Sequence, residues 1–306
     1  MTSAPPALCS QLCAAAAVSP PMSARSSWSS PCCRNGPCLG SSNSAVIRLE
    51  LLSGLLRHRR AIVLGALATV TAAAWVYLLL GAGIETEAME MGGGRMMAML
   101  PRWSPGYTAL VSVMWWVMMV AMMLPTAAPT VLLVTSLAWE RFSNPNLVPA
   151  TALLFASGYL LVWCGFSLAA TLLQWSLDNA GLLSQRMALG DAILTSTILI
   201  SAGVYQWMPP KDACLRHCRS PTEFLVRHWR PGSLGAVVTG VRHGLFCLGC
   251  CWMLMALLFV GGLMSLVWVG AIALFMLLEK TMPWGDWISR LGGVLLVVWG
   301  WSTLSR

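Results

Sequence analysis

Long stretches without a charged side chain dominate this sequence. They cover residues 61–84, 103–139, 142–177, 192–210, 243–278 and 291–305. A helix that crosses the hydrocarbon core of a bilayer needs about 20 apolar residues, and most of these stretches supply them. Hydrophobic residues make up 57% of the chain and charged residues only 10%, with a mean hydropathy of +0.71, so a soluble domain lacks the polar surface it needs. The sequence therefore predicts an all-α fold, a polytopic transmembrane helix bundle.

We predict about seven spans, with six as the alternative count. They lie near residues 61–82, 106–124 with a continuation, 148–173, 191–208, 236–260, 263–279 and 288–304. The stretch 243–278 is too long for one helix, and Gly261-Gly262 is the natural place for a break. The spans belong to a predicted transmembrane domain over residues 46–306. Residues 1–45 are rich in Ser, Pro, Ala and Cys and lack hydrophobic periodicity, which predicts a disordered prefix.

Basic residues predict the orientation, because Lys and Arg in short loops stay on the cytoplasmic side. If the N-terminus is cytoplasmic, the basic run 57–60 lies inside, and only Arg95, Arg102, Arg186 and Arg306 lie outside. We therefore expect a multi-pass protein of the cytoplasmic membrane with a cytoplasmic N-terminus. The net charge of +8 follows from this topology. The lipid bilayer is the expected partner, and nucleic acid is not, because no soluble module presents a basic face.

The fifth charge-free stretch begins with side chains that are soft metal ligands, in the order His243, Cys247, Cys250 and Cys251. On an ideal helix, these positions fall within an arc of about 100°. Neighbours four residues apart lie about 6 Å from each other. One small cation could therefore contact several of these side chains.

A second group of ligands precedes the fifth span, in the predicted cytoplasmic loop that holds Cys214, His217 and Cys218. Thiols on this face stay reduced and can bind metals. The two groups together predict a metal site formed by Cys214, His217, Cys218, His243, Cys247, Cys250 and Cys251. The alternative is that these cysteines are small apolar packing residues.

Methionines suggest which metal this is. Met89, Met91, Met96, Met97 and Met99 cluster in the predicted outer loop between the first two spans. Met114, Met118 and Met122 follow on one face of the second span. Thioethers select Cu(I) over hard cations, so Cu(I) is the expected ion and Zn²⁺ the alternative. A buried methionine stripe is also an ordinary packing feature.

Two charged residues end the predicted sixth span, Glu279 and Lys280. We expect a snorkelling lysine with its neighbour as counter-ion. A gating or proton-handling pair inside the membrane is the alternative.

Four segments carry a family resemblance. They are Met114-Trp-Trp-Val-Met-Met-Val-Ala-Met-Met-Leu-Pro-Thr-Ala-Ala-Pro129, Cys214-Leu-Arg-His-Cys218-Arg-Ser-Pro-Thr-Glu-Phe-Leu, His243-Gly-Leu-Phe-Cys-Leu-Gly-Cys-Cys-Trp252-Met-Leu-Met and Leu278-Glu-Lys280. Over about residues 100–304 the chain resembles the predicted metal-binding integral membrane proteins known as domain of unknown function 2182. The resemblance implies a bound metal without a defined activity. It supports Cys214, Cys218, His243, Cys247, Cys250 and Cys251 as one cluster.

The function predicted from these patterns is the binding of a soft transition metal, Cu(I), for metal handling or transport. A metal chaperone or another membrane subunit is the expected protein partner. An enzyme is the less favoured reading, and its form would be a membrane thiol–disulfide oxidoreductase that uses Cys247 and Cys250. A third alternative is a structural subunit with packing cysteines or a structural Zn²⁺.

Overall fold

The computed structural model describes most of the chain, in the ranges 42–81, 87–91, 95–99, 103–141, 147–183, 187–263 and 265–305. The chain divides into two compact units, residues 1–59 and 60–306. The described side chains all belong to the second unit. Of the predicted disordered prefix, residues 1–41 lie outside the described ranges, and the first helix begins at Ser42.

The described ranges form helices and one hairpin. In chain order the elements are α1 Ser42–Leu79, β1 Glu87–Met91, β2 Arg95–Met99, α2 Pro105–Arg141, α3 Leu147–Asn179, α4 Ala192–Tyr205, α5 Pro209–Arg219, α6 Pro221–His228, α7 Ser233–Ala256, α8 Leu258–Gly261, α9 Leu266–Thr281 and α10 Gly285–Leu304. The predicted all-helical class is confirmed except at the hairpin. There the methionine-rich segment, expected to be a loop, forms two antiparallel strands in which Met89 lies opposite Met97.

Within the described ranges, five helices are long and apolar enough to cross a membrane, by length and composition. They are Arg60–Leu79, Pro105–Ala138, Val148–Asn179, Ser233–Gly261 and Gly285–Leu304. This is consistent with a multi-pass membrane protein, but the predicted count of about seven spans is not confirmed. The predicted spans 191–208 and 263–279 correspond to α4 and α9, which have only 14 and 16 residues.

Glycine and proline explain why these two helices are short. Pro209 and Pro210 occupy the first turn of α5, where proline fits well, so a new helix starts inside the charge-free stretch 192–210. Gly262, whose φ of +85° suits glycine, ends the helix before α9. The predicted break at Gly261-Gly262 is where α8 ends.

Helix α7 is central to the second unit. It packs against α3 and α5 and also contacts α4, α6 and α9. Helix α2 packs against both α3 and α9, and α10 packs against α4. Residues of α2, α3, α7 and α9 consequently share one buried core, and the predicted cysteine ligands of α7 lie in it.

Candidate metal centre

Helix α7 directs its predicted ligands into the protein interior. His243, Cys247, Cys250 and Cys251 are at most 2% exposed. Their spacing places them on one side of the helix. The opposite side carries exposed apolar residues such as Leu245. The face predicted from the sequence is therefore the buried one.

Two glycines bring α3 and α7 into close contact. A Cβ atom on Gly240 would lie 2.0 Å from the carbonyl oxygen of Phe155, and one on Gly158 would lie 2.2 Å from the backbone of α7. Any larger residue would force the helices apart, as at other membrane helix crossings built on small residues. The close crossing is what lets Tyr159 on α3 reach Cys247 on α7.

The sulfur of Cys247 contacts polar groups from two other helices. Lys280 on α9 donates a hydrogen bond from Nζ to Cys247 Sγ over 3.0 Å. The Tyr159 hydroxyl lies 3.2 Å from the same sulfur, and it also donates to the carbonyl of Met123 on α2 over 3.1 Å. The Lys280 ammonium lies 3.8 Å from Met123 Sδ. Helices α2, α3, α7 and α9 therefore meet at one sulfur.

The other two thiols of α7 make backbone contacts. Cys250 and Cys251 both donate their S–H groups to the carbonyl oxygen of Cys247, over 3.0 Å and 2.8 Å. Such bonds to the preceding turn are common for small polar side chains in membrane helices. Both thiols stay close to Cys247 as a result.

Helix α5 adds thiols from outside the membrane-length helices. Cys218 packs against the core that contains Cys247 and Cys250. Hydrogen bonding to these two sulfurs, and after it burial, raises the pKa of the Cys218 thiol well above its ordinary value. Burial, followed by the nearby Cys250 charge, also raises the pKa of Cys214. Cys218, Cys247, Cys250 and Cys251 form the group that we call the thiol cluster.

The thiol cluster is not arranged around a common centre. In the described part of the chain, no three or more His, Cys, Asp or Glu side chains are positioned to hold a metal ion. The contacts give the reason: two S–H groups point to a backbone carbonyl, and an ammonium lies against the third sulfur. Metal binding would require these side chains to rotate about Cα–Cβ into other staggered rotamers. The donor set is nevertheless uniformly soft, as Cu(I) prefers.

The predicted histidine ligands have mainly aromatic neighbours. The His217 ring stacks on Phe246 with centroids 4.3 Å apart, and its Nδ1 bonds to the carbonyl of Ala213 over 2.8 Å. His243 packs against Phe224 and Tyr159, and its buried Nδ1 has no hydrogen-bond partner in the part of the chain that the structure describes. An unpartnered buried nitrogen is costly, so His243 is the histidine more suited to a ligand.

The predicted methionine stripe is buried within the helix bundle. Met114, Met118 and Met122 are 2–3% exposed, and they belong to the same core as Cys247. Met123, one residue farther, is the methionine in contact with Lys280. The stripe and the thiol cluster therefore share one continuous core. Met89, Met91, Met96, Met97 and Met99 lie in the hairpin, where the structure describes the backbone alone.

The interpretation of Glu279 and Lys280 as a snorkelling pair is wrong. Lys280 is 7% exposed and Glu279 only 1%. Their side chains have different partners, because Glu279 forms an ion pair with Lys211 whereas Lys280 contacts Cys247. Buried charges at these positions are more consistent with a functional role than with a surface anchor.

Sequence reasoning also missed two neutral residues of the site, Tyr159 and Met123. Tyr159 occurs in an otherwise apolar span, and a buried tyrosine usually needs a partner for its hydroxyl. That signal was present in the sequence without indicating the partner. Met123 lies beside the predicted stripe, and its sulfur contacts Lys280 on a neighbouring helix.

Comparison with known proteins adds one finding. A family model described as copper chaperone matches residues 112–303. The match includes every member of the thiol cluster together with Met123, Tyr159 and Lys280. No curated protein and no solved structure matches the chain.

Proposed function

This chain belongs to the PpoB2 family of copper chaperones, and from that premise we propose that it binds Cu(I) as cargo at the thiol cluster and passes the ion on. The observation that carries the proposal is the meeting of sulfurs from two helices. Cys218 on α5 packs against the core that holds Cys247 and Cys250 of α7, and its thiol interacts with both sulfurs. An ion held between the two helices would receive ligands that neither helix supplies alone.

The softness of the donors supports Cu(I). The nearby donor atoms are thiols and the Met123 thioether, and no carboxylate contacts the cluster sulfurs in the described ranges. Soft sulfur ligands suit Cu(I), whereas carboxylate and water suit harder ions. The family description names copper, so we propose Cu(I) rather than the Zn²⁺ alternative.

The arrangement of the thiols suits temporary binding. Cys250 or Cys251 would exchange its bond to the Cys247 carbonyl for a bond to the ion, and each thiol that becomes a thiolate releases a proton. Release of the ion restores the backbone bonds. Such an exchange stabilises the protein without the metal and favours delivery over permanent storage.

The wider set of predicted ligands belongs to the proposed route of the ion. Cys214, His217 and His243 lie on α5 and α7, the two helices that carry the thiol cluster, and we propose that they receive or release copper there. Met114, Met118 and Met122 would relay it through the bundle. Met89, Met91, Met96, Met97 and Met99 would collect it at the outer side.

The membrane setting completes the proposal. We propose the cytoplasmic membrane, with the N-terminus and the thiol cluster toward the cytoplasm, and transport of Cu(I) along the methionine route. A soluble metal chaperone or another membrane subunit would exchange copper with it. We also propose that the family is the one resembled in sequence, domain of unknown function 2182.

The test is a Cu(I) titration of the purified protein. The full chain, reduced and held in detergent, is titrated against a chromogenic Cu(I) chelator. We expect at least one equivalent bound per chain, and we expect Cys247→Ser combined with Cys251→Ser to abolish it. Cys164→Ser is the matched control, because Cys164 is a partly buried free thiol on α3 outside the cluster.

Unchanged stoichiometry in the double variant would reject the thiol cluster as the copper site. Alkylation followed by mass spectrometry separates the redox alternative. A disulfide between Cys247 and Cys250 that forms and is reduced during turnover with a quinone would favour an oxidoreductase instead.

A further inference from the structure

Lys280 is a buried cation with no carboxylate partner among the described residues. It is 7% exposed, and its Nζ contacts two sulfur atoms, those of Cys247 at 3.0 Å and Met123 at 3.8 Å. The described ion pairs involve other residues. A buried ammonium is unfavourable unless an opposite charge lies near it.

The carboxylate next to Lys280 in sequence, that of Glu279, is already paired with another lysine. Glu279 forms an ion pair with Lys211, and Gln206 and Ser289 accept further hydrogen bonds from the same ammonium. Lys211 and Glu279 together carry no net charge. Among the described residues, the negative charge that balances Lys280 must therefore come from the thiols beside it.

A copper complex of two thiolates also presents one negative charge to Lys280. Cu(I) carries one positive charge and two thiolates carry two negative charges, so a two-thiolate complex has a net charge of minus one. An anion of this kind is as unfavourable in an apolar interior as an isolated ammonium. Placing the two side by side removes both penalties.

We propose that Lys280 is the positioning residue that compensates the charge of a Cu(I) complex with two thiolates, one of them Cys247; this inference rests on the proposed function. The ammonium already donates to Cys247 Sγ. It contacts the ligand and not the ion. Each additional thiolate would leave a negative charge without a counter-charge, so the cluster holds one Cu(I) with two of its thiols.

The experiment compares Lys280 variants that separate charge from hydrogen bonding. Lys280→Arg keeps the positive charge, Lys280→Gln keeps a donor without charge, and Lys280→Met removes both. The Cu(I) affinity of each full-length protein is measured by competition with a chromogenic chelator, and its thermal unfolding midpoint is measured without copper. X-ray absorption of the loaded native protein counts the copper–sulfur bonds.

We expect Lys280→Gln and Lys280→Met to weaken Cu(I) binding by about tenfold or more, as for the loss of a charged hydrogen bond. Lys280→Arg should keep most of the native affinity. Two copper–sulfur bonds are expected in the native protein. Equal affinity in native and Lys280→Met protein would overturn the inference while leaving copper binding intact. Equal losses for Arg, Gln and Met would also overturn it, since a purely structural role predicts that pattern. A native protein that binds no Cu(I) would remove the proposed function itself.

Discussion

At the scale of single residues, contacts distinguish thiols that look equivalent in the sequence. Cys250 and Cys251 donate hydrogen bonds to a backbone carbonyl, whereas Cys247 accepts a hydrogen bond from an ammonium on another helix. An ammonium donor favours the thiolate form of its acceptor, and the thiolate is the form that binds metal. Cys247 is for this reason the thiol around which the proposed site is organised.

The reactivity of Cys214 gives a test at this scale. Burial, and then the charge of Cys250, raise the pKa of its thiol above the ordinary value. Because the thiolate is the reacting form, Cys214 in folded protein should be alkylated slowly at neutral pH. Its rate should keep rising at a pH where an ordinary thiol has already reached its plateau. Iodoacetamide labelling at a series of pH values, read by mass spectrometry, measures this profile.

The same peptide in denatured protein is the control, because unfolding removes both causes of the shift. The raised pKa of Cys214 means that the folded state holds the thiol proton more tightly than the unfolded state. The alkylation profile of the folded protein therefore lies at higher pH. The associated stability is present below the unfolded pKa and is lost as pH rises through the folded pKa. A folded profile at or below the denatured one would contradict the structure around Cys214.

The sequence predicted the ligands on one face of α7 but not the residues that complete the site. Helical periodicity assigns residues to a face of their own helix, so His243 and the three cysteines could be grouped in advance. Met123, Tyr159 and Lys280 lie on three other helices, and their convergence depends on helix packing. The prediction that Glu279 is the counter-ion of Lys280 rested on their adjacency in sequence. In the folded protein, Glu279 forms its ion pair with Lys211 instead.

At the scale of elements, the crossing of α3 and α7 determines the geometry of the site. Hydropathy located both helices, since a long apolar run is visible in sequence whatever it packs against. The partner of each helix was not visible. Glycine positions carry that information, because Gly158 and Gly240 have no room for a side chain whereas Gly165, also on α3, has nothing within 4 Å.

Gly240→Ala tests the crossing. The new Cβ would lie 2.0 Å from the carbonyl oxygen of Phe155, so the two helices must separate. Overpacking of this kind costs about 1–3 kcal/mol. Separation also draws Tyr159 away from Cys247. We expect a lower thermal unfolding midpoint in detergent and weaker Cu(I) binding. Gly165→Ala is the matched control and should leave both unchanged. If the two variants behave alike, the close crossing does not determine the site.

At the scale of the whole molecule, a buried polar network connects helices that hydrophobic contacts alone would leave free to slide. Lys211 at the start of α5 bonds to Gln206 after α4, to Glu279 on α9 and to Ser289 on α10. The network lies one residue from Lys280 along α9. It therefore fixes the position of α9, and with it the position of the ammonium at Cys247. A slide of α9 would separate the two.

Glu279→Gln tests this connection. Gln keeps the size of the side chain but leaves Lys211 buried without its opposite charge, and breaking a buried pair in this way costs about 3–5 kcal/mol. The thermal unfolding midpoint in detergent should fall clearly. Glu223→Gln is the matched control, because Glu223 pairs with Arg227 on an exposed surface where both side chains are more than 60% exposed. Pairs of this kind contribute only about 0.3–0.5 kcal/mol, so the control should unfold close to the native midpoint.

Copper affinity of the same variants shows whether the network also serves the site. If α9 is held by Lys211, Glu279→Gln should weaken Cu(I) binding at temperatures where the protein is still folded, because Lys280 loses its fixed distance to Cys247. Glu223→Gln should bind copper like the native chain. A Glu279→Gln protein with a native midpoint would show that the buried pair does not fix α9. A lowered midpoint with unchanged affinity would show instead that α9 is held at the thiol cluster by its hydrophobic contacts with α2 and α7.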